Sequence, residues 1–203
     1  MSEPKSKNIT WHGADVSQAE REQALGQKGV VVWLTGLSAS GKSTIARRVE
    51  QKLLERGVHV YVLDGDNLRM GLNKDLGFSP ADRTENIRRV GCVAQLFADA
   101  GIVVLTAFIS PYRTDRDNVR EHVTAGRFVE VHVCTSLADC ESRDPKGLYK
   151  KAREGKIPEF TGISAPYEAP ERPEVKLDNS GQTVDESADA LIAELNRLGF
   201  ATA

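Results

Sequence analysis

Apolar and amphipathic segments alternate along most of this chain of 203 residues. Short runs rich in Val, Ile and Leu predict buried strands over residues 30–34, 58–63, 102–109 and 128–134. A further strand is expected over 174–178. Between the runs, apolar residues recur at helical spacing. This alternation predicts an α/β fold, in which a doubly wound, mainly parallel sheet carries helices on both faces.

Capping and turn residues set the expected helix boundaries. Asp15 or Ser17 can cap a short helix that ends at Gly26. We expect Asp82 to cap a long, largely buried helix that ends near Gly101. Trp11 is expected to pack somewhere on the domain. Other helices are predicted over residues 44–56, 67–72, 114–125 and 184–198.

The segment between the first strand and the helix over 44–56 matches G-x-x-x-x-G-K-[ST], a pattern that cradles phosphate groups. Its glycines permit a tight backbone path along which N–H groups point at phosphate oxygens. Lys42 can reach the β- and γ-phosphates, and Ser43 offers a hydroxyl to Mg²⁺. A purely structural glycine turn is the alternative, but the flanking strand and helix favour nucleotide binding. The predicted nucleotide-binding residues are Gly36, Leu37, Ser38, Ala39, Ser40, Gly41, Lys42, Ser43 and Thr44.

Two aspartates, Asp64 and Asp66, follow the strand over 58–63. Ligands of parallel sheets bind beyond the carboxyl ends of the strands, so these carboxylates should stand beside the phosphate loop. Either can accept a proton from an attacking hydroxyl or hold water on Mg²⁺. Alternatively, they cap the next helix. No acidic residue ends the strand over 102–109, where a P-loop protein usually has a carboxylate for Mg²⁺. Either Asp64 or Asp66 takes that role, or Mg²⁺ relies on Ser43, water and phosphates.

Basic residues suggest an anionic second substrate. Arg83 and Asn86 lie three residues apart and should share the exposed face at the start of a helix, where they form a lobe with Arg69. A solvated charged face is the alternative. The basic and Pro/Gly-punctuated segment 143–163 predicts a lid that closes over polyphosphate and excludes water, and a solvated loop is again the alternative.

Composition limits the location and partners of the protein. A formal net charge of −2 and a pI near 6.1 give no reason to expect nucleic-acid or membrane binding. The three cysteines lack metal-like spacing and an even disulfide set. Residues 1–27 lack the apolar core of a signal peptide. We therefore expect a cytoplasmic protein. The phosphate loop and the order of the elements predict an N-terminal extension with a short helix, 1–28, and one P-loop kinase domain, 29–203, whose lid covers about 143–163.

Several motifs resemble the adenylylsulfate kinase (APS kinase) family, and the similarity runs from Asn8 to Pro170. They include Leu63-Asp-Gly-Asp-Asn-Leu-Arg69, Ile109-Ser-Pro-Tyr-Arg113, Asp144-Pro-Lys-Gly-Leu-Tyr149 and Phe160-Thr-Gly162. The resemblance implies a P-loop fold and transfer of the γ-phosphate of ATP, with Mg²⁺, to the 3′-hydroxyl of adenosine 5′-phosphosulfate (APS), which gives PAPS and ADP. It further implies a homodimer, with an ATP sulfurylase acting upstream.

The resemblance also implies individual residue roles. The candidate catalytic residues are Asp66, Lys42 and Ser110, and the candidate metal-binding residues are Ser43 and Asp64. Ser110 matches a serine described as a phosphoserine intermediate in the family; because in-line transfer needs only positioning and charge neutralisation, the alternative is that it orients the substrate. Implied APS contacts are Asp66, Arg69, Phe78, Arg83, Asn86, Ile109, Ser110, Lys146 and Phe160, with the two phenylalanines sandwiching the adenine.

One position departs from the family pattern. Ala39 stands where the phosphate loop of the family usually has glycine. It occupies one of the variable positions, so the signature is intact. Because alanine has less backbone freedom than glycine, we expect any effect to fall on affinity more than on activity.

Overall fold

The computed structural model describes residues 6–10 and 12–200. Trp11 lies outside the described residues. The strands are β1 Val30–Thr35, β2 Val60–Asp64, β3 Val103–Ala107, β4 Phe128–Val133 and β5 Val175–Leu177. The helices are α1 Gln18–Leu25, α2 Lys42–Leu54, α3 Gly65–Arg69, α4 Pro80–Asp99, α5 Arg113–His122, α6 Leu137–Arg143, α7 Leu148–Arg153 and α8 Val184–Arg197.

The strands form one parallel sheet in the order β2-β3-β1-β4-β5. Alternate residues of β1 point to opposite faces. Val30, Val32 and Leu34 join a core with α2 and α8, whereas Val31 and Trp33 join a core with α4 and α5. The predicted doubly wound sheet is confirmed, and the carboxyl ends of its strands meet at one edge.

Helix boundaries follow the capping chemistry. Ser17 caps α1 in a capping box, and Gly26 ends the helix in a left-handed conformation. The long helix predicted to end near Gly101 is confirmed as α4, but its predicted cap was wrong: the N-cap is Ser79, with Pro80 at the first helical position, and Asp82 instead accepts a hydrogen bond from the Ser79 hydroxyl.

Helix α4 is also less buried than its apolar content predicted. Leu96 is 69% exposed, and Cys92 faces solvent as well. The buried positions recur at helical spacing on one side, so α4 is amphipathic rather than largely buried. Within the described ranges, 6–10 and 12–200, no helix combines the length and apolar character needed to cross a membrane.

Candidate active site

The phosphate loop joins β1 to α2 through two glycines with positive φ. Gly36 has φ of 154° and Gly41 has φ of 100°, and a Cβ at Gly36 would meet the Val133 carbonyl oxygen at 2.6 Å. A larger residue would therefore be strained at Gly36 by both conformation and contact. Ala39 has φ of 58° in the same loop, where the Cβ of an L-residue carries a conformational cost.

Lys42 is the first residue of α2 and is buried. Its Nζ donates hydrogen bonds to the Gly36 and Leu37 carbonyl oxygens at 3.0 and 2.6 Å. Burial lowers the pKa of this ammonium group to about 8. An anionic ligand would favour the charged form, so the site has the electrostatics of a phosphate-binding lysine.

Asp64, the last residue of β2, and Asp66, in the first turn of α3, have different contacts. Asp64 caps α3: its Oδ1 accepts from the Asp66 N–H at 3.0 Å. Its Oδ2 is buried and, among the described residues, has no hydrogen-bond partner; the Arg47 guanidinium lies 3.6 Å away. Asp66 is exposed and forms an ion pair with Lys146 of the predicted lid.

These residues line one open cavity of about 670 Å³. Its lining includes Lys42, Ser43, Asp64 and Asp66. The start of the predicted lid, the loop before α8 and the first turn of that helix also line it, through Arg143, Asp144, Pro145, Lys146, Asn179, Gln182, Thr183, Val184 and Ser187.

The residues predicted to bind the anionic acceptor lie around the start of α4. Arg69 donates to the carbonyl oxygens of Leu76 and Gly77 at 3.1 and 2.9 Å, and its guanidinium lies 4.3 Å from the ring centre of Phe78. The Phe78 side chain is otherwise open, with 66% of the residue exposed. A cationic group and an aromatic face thus lie together near the start of α4.

Arg83 joins the loop before α4 to the end of the lid. Its Nε donates to the Phe78 carbonyl oxygen at 2.8 Å, and its terminal nitrogens donate to Thr161 Oγ1 and the Glu159 carbonyl oxygen. Asn86 corrects the sequence expectation. Rather than sharing an exposed face, it is 5% exposed, and its Oδ1 accepts from Asn73 Nδ2 at 2.9 Å.

The segment 143–163, predicted to be a lid, packs against the phosphate loop through a small apolar cluster. The Tyr149 hydroxyl donates to the Ser38 carbonyl oxygen at 3.0 Å, and burial raises the pKa of this phenol. The Phe160 ring meets Tyr149 edge-on at 5.0 Å. Leu37 and Ala39 of the loop pack on the same cluster. The predicted lid and the phosphate loop therefore share one set of apolar contacts.

Ser110 follows β3 in a left-handed conformation, with φ of 40°. It is 2% exposed, and its Oγ accepts from the Trp33 indole N–H at 3.1 Å. The buried Arg116 donates to the Ser110 carbonyl oxygen at 2.6 Å, to the Glu168 carbonyl oxygen at 2.7 Å and to Glu130 Oε1 at 2.7 Å. This fork holds the turn that contains Ile109 and Ser110.

The sequence reasoning did not single out Arg116, Glu130, Thr135, Asn179 or the start of α8. Their roles depend on contacts between segments far apart in the chain. Only the position of Thr135 and Asn179, each just after a strand that ends at the phosphate-loop edge, carried a usable signal.

A phosphate loop at the carboxyl edge of a parallel sheet, with carboxylates beside it and the basic segment 143–163 packed against it, defines a P-loop kinase. The sequence model of one such family, adenylylsulphate kinase, matches residues 28–178. The chain therefore belongs to the adenylylsulphate kinase family, as its motifs predicted.

Individual relatives agree with this assignment. An adenylyl-sulfate kinase of Staphylococcus carnosus is 59% identical over 191 residues, which cover 94% of this chain and 96% of that protein. The Mycobacterium tuberculosis APS kinase in complex with AMPPNP and APS is 51% identical, with a TM-score of 0.79, over 84% of this chain and 99% of that one. A hexameric APS kinase from Thiobacillus denitrificans is 33% identical, with a TM-score of 0.66, over 90% of this chain and 31% of that one.

Proposed function

We propose that this protein transfers the γ-phosphate of ATP to the 3′-hydroxyl of APS, giving PAPS and ADP in sulfate activation. The observation that carries the proposal is the cavity that brings Lys42 and Ser43 of the phosphate loop, the carboxylate of Asp66 and the lid residue Lys146 together. Phosphoryl transfer needs positioning and charge neutralisation more than covalent chemistry, and these groups supply both.

The chain's residues divide the work as follows. The phosphate loop binds the polyphosphate through residues 36–44, and Lys42 neutralises charge that develops on the transferred group. Asp66 lines the cavity and accepts the proton of the attacking 3′-hydroxyl. Lys146 reaches Asp66 from the lid, so closing the lid orients that carboxylate while it excludes water.

Arg69, Arg83 and Asn86 hold the phosphosulfate and ribose of APS in this proposal, and Phe78 and Phe160 hold its adenine. Ile109 and Ser110 complete the acceptor side. Because the Ser110 hydroxyl is buried and bonded to Trp33, we assign it an orienting role at the end of β3 rather than that of a phosphate acceptor.

The residues present also fit Mg²⁺. When bound, the ion would neutralise negative charge on the nucleotide phosphates. Ser43 would hold it directly, and the buried Oδ2 of Asp64, which has no hydrogen-bond partner in the described part of the chain, would hold one of its waters. No group of three or more His, Cys, Asp and Glu side chains within residues 6–10 and 12–200 could hold a metal alone. In this proposal the phosphates of the nucleotide contribute further ligands.

Assembly and location belong to the same proposal. We propose a homodimer in the cytoplasm that receives APS from an ATP sulfurylase. The three free thiols suit a reducing compartment. Light scattering of the purified chain tests the dimer, and a monomer at micromolar concentration would contradict it.

The decisive experiment measures ADP release with Mg·ATP at low, varied APS concentrations. Reactions without APS, and reactions with a sugar acid or a nucleoside in its place, serve as controls. We expect ADP release that depends on APS and matches PAPS formation one to one. If ATP binds but no acceptor elicits turnover, the chain is a nucleotide sensor with a kinase fold and the proposal fails.

A further inference from the structure

The carbonyl oxygen of Ser40, within the phosphate loop, accepts hydrogen bonds from side chains much later in the chain. Thr135, just after β4, donates to it from Oγ1 at 2.9 Å. Asn179, just after β5, donates from Nδ2 at 2.7 Å. Ser40, Thr135 and Asn179 are 0%, 5% and 6% exposed. A buried carbonyl needs such donors, and water does not replace them easily.

Asn179 uses its remaining polar atoms on two further segments. Its Oδ1 lies 2.6 Å from Thr135 Oγ1, whose single proton is shared between this oxygen and the Ser40 carbonyl oxygen, and it accepts from Arg143 Nη1 at 3.3 Å. Its backbone carbonyl oxygen accepts from Arg143 Nη2 at 3.4 Å. Arg143 is the last residue of α6, where the lid begins, and it lines the nucleotide cavity. One amide therefore links the sheet edge, the lid and the phosphate loop.

The same side chain limits the space around Gly41. A Cβ on Gly41 would meet Asn179 Nδ2 at 2.7 Å. Gly41 is the N-cap of α2 and has φ of 100°, so its conformation sets the direction in which Lys42 and Ser43 leave the loop. Asn179 thus packs beside Gly41, whose conformation orients Lys42 and Ser43, the two residues expected to bind the phosphates.

We infer that Asn179 is a positioning residue for the nucleotide half of the site. It fixes the Ser40–Gly41 peptide so that Lys42 and Ser43 face the cavity, and it ties that peptide to Arg143 of the lid. Both polar ends of its amide are engaged within the protein, so it acts through these neighbours. The inference deepens the proposed function, because it assumes that the phosphate loop receives ATP.

The variant Asn179→Asp tests the inference with almost no change in shape. The asparagine amide donates to the Ser40 carbonyl oxygen, whereas a carboxylate keeps an acceptor for Thr135 and Arg143 but places a second acceptor against that carbonyl. We expect the affinity for a non-hydrolysable ATP analogue, measured by calorimetry, to fall about tenfold, as when a buried acceptor loses its donor. The KM for APS should stay within about twofold of wild type.

The matched control is Asn196→Asp, at an exposed position of α8, which should bind the analogue as wild type does. An Asn179→Asp protein that binds the analogue within about twofold of wild type, or that loses APS and ATP equally, overturns the inference. If Asn179→Asp does not fold, Thr135→Val decides: analogue binding about threefold weaker supports the inference, and unchanged binding overturns it. Because calorimetry with the analogue needs no APS, failure of APS turnover in the wild-type protein would leave the comparison of analogue binding intact and still decisive.

Discussion

The buried ion pair between Arg116 and Glu130 offers the sharpest test of how the turn at Ser110, on the proposed APS side of the site, is stabilised. Their side chains are 1% and 7% exposed, and Arg116 Nε lies 2.7 Å from Glu130 Oε1. The perturbation is Glu130→Gln, which keeps the size and an acceptor oxygen but removes the charge. Arg116 then remains buried with neutral partners only, among them the Ser110 and Glu168 carbonyl oxygens.

The expected cost follows from the local geometry. Two unit charges about 4 Å apart attract by about 4 kcal/mol at an effective dielectric constant of about 20, and removing one partner of a buried pair typically costs about 3–5 kcal/mol. Because both carbonyl oxygens still accept from Arg116, we take the lower end, about 3 kcal/mol. For a chain of this size that corresponds to a decrease in the melting temperature of roughly 6–12 °C.

Urea unfolding and thermal melting measure this loss directly. The control is Glu171→Gln, whose pair with Arg113 is exposed on both sides, at 72% and 44%; exposed pairs contribute about 1 kcal/mol or less. Well below its melting temperature, Glu130→Gln should also show a raised KM for APS, because the turn at Ser110 loses part of its support. A free energy of unfolding within about 1 kcal/mol of wild type would refute the reasoning.

Three further predictions concern the site itself. Asp66→Asn should lower turnover in a coupled assay by roughly two or more orders of magnitude, with nucleotide binding largely intact. The control Asp117→Asn, at an exposed position, should match wild type. Near-normal turnover of Asp66→Asn would remove Asp66 from the chemistry. Arg83→Ala should raise the KM for APS far more than that for ATP, and equal losses would indicate a folding defect instead. Burial lowers the pKa of Lys42 to about 8, so its charge is present below that pH and lost above it. Nucleotide affinity in calorimetric titrations should therefore weaken as pH rises through about 8. An affinity that does not change with pH would contradict this prediction. Lys42→Arg, which does not titrate there, should show no such decrease.

Periodicity predicted the strands and helices of this fold well because most of them bury either both faces or one regular face. The run Val30–Leu34 is covered on both faces, so it is continuously apolar, and β1 occupies Val30–Thr35. Motif spacing likewise placed Lys42 and Ser43, since the phosphate loop is a local structure. Ser79 was missed in favour of Asp82 because both can cap a helix; Pro80 at the first helical position was the signal that distinguishes them.

The rest of the site depends on partners that sequence spacing does not reveal. Asn86 was expected to be exposed because it lies three residues from Arg83, but the turn after α3 brings Asn73 over it. Arg116 and Glu130 belong to different elements, and only the packing of α5 on β4 brings their charges together. A helical period tells which residues share a face, not which distant residue covers that face.

The hydrogen bond between Trp33 and Ser110 has a practical consequence for spectroscopy. The chain has two tryptophans, so Trp11→Phe would leave Trp33 as the sole indole emitter. Trp33 is fully buried, with the rings of Phe108 and Phe128 at 6.1 and 5.9 Å, and its N–H meets the serine at the end of β3. Its fluorescence should therefore report on the acceptor side of the site from inside the core, without any added label.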